Sequence, residues 1–218
     1  MKLNILIPES QKDLNLQQFI NYSMDVKDKE LTEQEAKEML LKHFYNLTEK
    51  QINQLKPDDV DKLAVSVAEV LEQQPDLQTR FKLEGKEYGM IPNLDKMSYG
   101  EYKDLLEYQK QTETLNNFMA VLFRPIVQKL GKKYRIAEYE GTEETAELMK
   151  RTPLSIYTAS MLFFCDLTNE LRKLTQNYIE VQIQEMKSLD KNGDSTQTYI
   201  NSLRETSQNL EKSIHTTF

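Results

Sequence analysis

The amino-acid sequence predicts a mainly α protein. It reads as a helical domain with a small β-hairpin or three-stranded element, around residues 3–7 and 80–91, followed by a C-terminal helical hairpin. Three observations carry this. Only six of 218 residues are Gly and six are Pro, while the good helix formers Leu, Glu, Lys and Gln are abundant. Apolar residues recur at helical spacing along most of the chain, as in Val60, Leu63, Ala64, Val67, Val70 and Leu71. Between Phe81 and Ile91 the period changes to two, which is the spacing of strands.

Taken in order, Leu3, Ile5 and Ile7 suit a short strand that Pro8 ends. Asp13 is placed to cap a helix bearing Leu14, Phe19, Ile20 and Met24. Thr32 followed by Glu35 has the form of a capping box, in which the hydroxyl takes an orphan amide and the carboxylate reaches back. The helix it opens runs to about Tyr45. Thr48 caps a shorter turn that Pro57 stops, and Asp58 or Asp59 opens the strongly periodic helix that ends before Pro75.

The alternating segment contains Glu84-Gly85-Lys86, where glycine accommodates a positive φ, so a hairpin is expected. An isolated hairpin is marginal in water, which makes the 3–7 segment a natural third strand. Ser98 and Glu101 form another capping box, before a helix with Tyr99, Tyr102, Leu105, Leu106 and Tyr108. The densest apolar segment, Leu115 to Ile126, reads as a helix that Pro125 kinks or ends. Residues 129–139 are basic and extended, and Gly141-Thr142 opens a short helix ending near Arg151.

From Leu154 one long helix is expected, which divides the chain into a globular domain, 1–153, and a hairpin, 154–218. Leu167, Leu171, Leu174, Tyr178 and Val181 are spaced 4, 3, 4, 3, the seam of a coiled coil within or between chains. Leu189-Asp-Lys-Asn-Gly-Asp194 breaks the helix, and Tyr199, Leu203, Leu210 and Ile214 mark the return.

Charge and composition narrow the function. A net charge of −7 argues against a general phosphate-neutralising surface, so no nucleic acid is expected. No run approaches the ~20 apolar residues of a membrane span, and no secretory leader is evident. One cysteine, Cys165, rules out an internal disulfide and a multi-cysteine zinc site; within Met161-Leu-Phe-Phe-Cys165 it reads as an inert thiol. His43 and His215 lack ligand spacing. Asp190-Lys-Asn192-Gly-Asp194 starts like a calcium loop, but Ser195 stands where glycine is required and Asn201 where a bidentate carboxylate is required. A polar turn is the better reading. No cofactor, metal or catalytic group is expected, and the chain reads as non-enzymatic.

The residues singled out for partner binding are Arg124, Tyr134, Tyr139 and the seam Leu167, Leu171, Leu174, Tyr178 and Val181. Arg124 stands within an apolar run, where a guanidinium needs a counter-charge. An internal ion pair is the first reading, and a contact to a partner chain the second. Nine Met and eleven Tyr without Trp can supply adaptable apolar surface or simply fill a core.

Several motifs together resemble a known family. They are Ile7-Pro8-Glu9-Ser10; Phe81-x-Leu83-x-Gly85-x-x-Tyr88-Gly89-x-Ile91-Pro92; Ser98-x-Gly100-Glu101-Tyr102-x-Asp104-Leu105; Met119-Ala-Val-Leu-Phe-Arg124-Pro125-Ile126; Tyr139-x-Gly141-Thr142; and Phe163-Phe164. Their order resembles small virion and tail-assembly proteins of tailed bacteriophages, particularly those of Bacteroidetes hosts, over residues 1–174. The resemblance implies a non-enzymatic morphogenesis role. Such a protein would be an assembly chaperone or scaffold-like binder of a virion or tail component, or alternatively a structural or packaged component of the mature virion. It implies phage structural proteins as partners, and a location in the host cytoplasm during assembly or within the virion. A homo-oligomer through the C-terminal hairpin is a further expectation.

Overall fold

The structure, a computed structural model, describes residues 5–131, 133–189 and 200–205. The chain is mainly helical with a small antiparallel sheet, and it divides into two compact units, Met1–Ser160 and Met161–Phe218.

The first unit opens with helices α1 (Leu16–Val26), α2 (Glu33–Phe44), α3 (Glu49–Ile52) and α4 (Pro57–Leu71). Asn15 caps α1, accepting from the Gln18 amide while Gln18 reaches back. Asp13 has a different task from the one expected: it closes a capping box with Ser10 around a single 3-10 turn. The Thr32–Glu35 box caps α2 as the local pattern predicts. Proline opens α4, where its missing amide donor costs nothing. Leu41, Leu47, Ile52, Val60, Leu63 and Ala64 form the core among these helices, with Ile5 packed against it.

Of the expected 3–7 strand, residues 3 and 4 lie outside the described residues, and 5–7 form no strand: Ile5 packs on the core while Leu6 and Ile7 are exposed, and the hairpin finds its partners later in the chain. Strands β1 (Arg80–Leu83) and β2 (Lys86–Met90) are joined through Glu84 and Gly85, both at positive φ, the twist that a two-residue hairpin loop requires. Strands β3 (Phe123–Leu130) and β4 (Lys133–Ile136) complete a sheet ordered β1-β2-β3-β4. Phe81, Leu83, Tyr88, Met90 and Phe123 are buried on one face, where the Phe81 ring meets Phe123 edge-on at 5.1 Å.

Between the hairpins lie α5 (Tyr99–Tyr108) and α6 (Leu115–Leu122). The apolar segment expected to be a helix that Pro125 kinks or ends is a helix to Leu122 followed by a strand that contains the proline. Proline disfavours helical backbone at the residue before it, so Arg124 is driven into extended conformation and α6 stops at Leu122. Every residue of α6 but Asn117 is buried. Asn116 Nδ2 donates to the Ala146 carbonyl at 3.0 Å, and Asn117 Nδ2 donates to the buried Thr142 hydroxyl at 2.9 Å. These bonds fix the start of α7 (Ala146–Met149).

The long helix α8 (Leu154–Leu189) belongs to both units. Its first two turns, with Leu154, Ile156, Tyr157 and Ala159 buried, are core of the first unit, and the Leu154 amide donates to the Leu14 carbonyl at 2.9 Å. In the second unit Ile179 and Ile200 are buried, and residues 200–205 are helical. The expected turn at 190–194 and the return beyond 205 lie outside the described residues.

Candidate functional site

The other face of the sheet carries charge. In the β2–β3 ladder Arg124 stands opposite Gly89, so its side chain leaves the aromatic core face and reaches α5. There it meets the counter-charge that its apolar setting demands. An Arg124 Nη donates to Glu101 Oε1, and the two side chains are only 11% and 8% exposed. Glu101 Oε2 accepts the Ser98 amide at 2.6 Å. One carboxylate thus closes the capping box of α5 and pairs with the sheet. Tyr139 continues the cluster, with Arg124's guanidinium carbon 5.6 Å from its ring centroid and its hydroxyl donating to Asp104 Oδ2. Nε of Arg124 is buried without a hydrogen-bond partner.

Electrostatics holds these groups in their charged or donor forms. Burial pushes the Glu101 carboxyl up, but hydrogen bonds from Ser98 and the Arg124 charge outweigh it and hold it below the ordinary carboxylate range. For Tyr139, burial and then the Asp104 carboxylate act in the same direction and push the phenol far above its usual value, so it is a permanent donor. Because the folded Glu101 pKa is depressed, its contribution to stability is present above the unfolded value of about 4.3 and is lost as pH falls through the folded value. A thermal-melt series taken from about pH 6 to about pH 3 should therefore show a steeper decline for the native sequence than for Glu101→Gln.

The clamp turns the remaining face of α5 outward. Tyr99, Tyr102 and Leu106 are 81%, 54% and 39% exposed, and their i, i+3, i+7 spacing makes them one stripe. Tyr134, also singled out from the sequence, packs over Gly89 on the same face of the sheet as Arg124. Its hydroxyl donates to the Met90 carbonyl at 2.8 Å. The structure therefore brings Arg124 and Tyr139 together with Glu101 and Asp104, and gives Tyr134 a separate packing task. The α5 stripe was visible as an aromatic face; that it points outward depends on Glu101 and Asp104 pointing inward.

The seam residues lie on α8 in the second unit. Leu174, Tyr178 and Val181 are 64%, 65% and 49% exposed, whereas Ile179, off the seam, is buried. Leu167 is half-buried, and the Leu171 side chain lies outside what is described.

A second polar feature is internally matched. A cleft of about 570 Å³ is lined by Asn15, Gln17, Asn21, Lys42, His43 and Lys150 among others. Its basic side chains are paired, Lys42 with Asp25 at 2.8 Å, Lys150 with Glu147 at 2.6 Å and Arg151 with Glu84, and the His43 ring Nε2 hydrogen-bonds Asp25 at 2.9 Å. Burial, followed by Asp166, pushes the Cys165 thiol up, away from the thiolate that reactivity requires. Among the described residues no group of three His, Cys, Asp or Glu is placed to hold a metal, and no helix is long and apolar enough to cross a membrane.

The arrangement is an exposed aromatic helix face fixed by a buried ion pair. Compared with protein-family models, curated proteins and solved structures, the chain matches none.

Proposed function

We propose that this chain is a non-enzymatic morphogenesis protein of a tailed bacteriophage, an assembly chaperone or scaffold-like binder of a virion or tail component. The phage context comes from the motif order of residues 1–174. The binding role is carried by one observation, the exposed stripe Tyr99, Tyr102 and Leu106 on a helix that Arg124 and Tyr139 anchor from behind through Glu101 and Asp104. Large amphipathic side chains on a rigid support lose little entropy on binding. Arg124 and Tyr139 act in this reading by positioning α5. Partners are phage structural proteins, met in the host cytoplasm during assembly.

A second reading, a structural component of the mature virion, is favoured by the exposed seam on α8. The C-terminal hairpin belongs to it, and burial of Ile179 and Ile200 supports a helix returning along α8 on a face other than the seam.

Co-purification from infected cells, compared with mass spectrometry of purified virions, separates the two. A chaperone is captured with one phage protein and is missing from particles; a stoichiometric copy number in particles overturns that reading. Replacing Tyr99 and Tyr102 by Ser should abolish capture of the client while leaving the melting temperature within a few degrees, since both side chains are exposed. Unchanged capture would remove α5 from the interface.

A further inference from the structure

We infer that the seam on α8 is a self-association surface, and that its occupant is a second copy of this chain. The inference rests on α8 alone and is independent of what α5 binds. Three observations point to it.

The first is an unmet apolar stripe. In heptad terms Leu171 and Tyr178 are a positions and Leu167, Leu174 and Val181 are d positions. Leu174, Tyr178 and Val181, which span about 10 Å of helix, are exposed, and Leu167 is half-buried. The same stretch of helix buries Ile179, a b position. The chain thus buries Ile179 and leaves the C-terminal half of the heptad-spaced face, from Leu174 to Val181, open.

The second is the flanking chemistry. The e and g positions beside the seam are Thr168, Glu170, Thr175, Asn177, Gln182 and Gln184. Coiled coils between unlike chains choose their partner by complementary charges at these positions. With Glu170 the sole charge, the flanks carry no such code and no repulsion against an identical helix.

The third is the local charge. The chain as a whole carries −7, yet residues 164–184 hold three acids (Asp166, Glu170, Glu180) against two bases (Arg172, Lys173), a net of −1. Two copies therefore meet through a nearly neutral segment of an otherwise self-repelling molecule.

The geometry of the seam also supplies its test. Leu174 is the central residue of the five, and as a d position it meets its own counterpart when the two helices run parallel. In a Cys165→Ser background, Leu174→Cys should form a covalent dimer on mild oxidation, and Glu180→Cys, off the seam, should not. Sedimentation of the full chain should show a concentration-dependent dimer that strengthens with added salt as the residual repulsion is screened. Leu174→Glu should raise its dissociation constant at least about tenfold, with helical circular dichroism unchanged because the native side chain is exposed. A monomer at all concentrations, or a dimer that survives Leu174→Glu with no cross-link at residue 174, overturns the inference.

Discussion

Arg124→Leu is expected to destabilise the protein by about 3–5 kcal/mol, because it leaves the Glu101 carboxylate buried without its counter-charge. For a chain of this size that corresponds to a fall in melting temperature of roughly 6–20 °C. Leucine fits an apolar setting, so the loss comes from the orphaned carboxylate more than from packing. Pairing the change with Glu101→Gln tests this. Glutamine keeps the capping box, since its carbonyl can still accept the Ser98 amide, and it removes the buried charge. The double variant should recover much of the stability, in urea or thermal unfolding. If it is no more stable than Arg124→Leu alone, the ion pair is not what makes Arg124 necessary. The double variant also separates structure from binding: with α5 still capped but no longer tied to β3, its exposed stripe should hold its client less firmly.

This pair also marks where reading the sequence succeeds and where it stops. The capping boxes of Thr32–Glu35 and Ser98–Glu101 are legible because they are closed between residues three apart. That Arg124 requires an acid is legible too, from its apolar neighbours. Which acid it takes is not, because Glu101 is already accounted for as a cap, and only the fold reveals that its second oxygen is free to accept Arg124. The Leu115–Ile126 segment was misread for a related reason. A short apolar run buried all round has no periodicity that distinguishes helix from strand, and Pro125 signals a break without specifying the backbone conformation beyond it. The alternation of Leu3, Ile5 and Ile7 suits a strand, and the hairpin's need of a partner suggests a place for it; the described residues 5–7 form none, because β3 and β4 supply that partner from later in the chain. On α8 the heptad spacing was legible in full, although only the exposure of Leu174, Tyr178 and Val181 beside a buried Ile179 separates the seam from the face that the chain itself covers.

Gly89 is the position where the smallest substitution should have a large effect. Its φ is ordinary, so the requirement for glycine comes from space. A Cβ built at Gly89 would overlap the edge of the Tyr134 ring and lie 3.0 Å from Ile126 Cγ1. The ring cannot easily yield. Its hydroxyl is held by the Met90 carbonyl at 2.8 Å, with the Thr79 carbonyl at 3.2 Å, and the Arg80 guanidinium carbon lies 5.8 Å from its centroid. Overpacking of this kind costs about 1–3 kcal/mol. Against it, exchanging glycine for alanine in a strand returns about 0.5–1 kcal/mol of backbone entropy. The steric term wins, and Gly89→Ala should lose roughly 1–2 kcal/mol net. Tyr134→Ala removes the obstruction, so in that background Gly89→Ala should be neutral or slightly stabilising, a coupling of at least about 1 kcal/mol in a double-mutant cycle. An equal cost in both backgrounds would place the constraint in the β2–β3 backbone and free Tyr134 from its packing role.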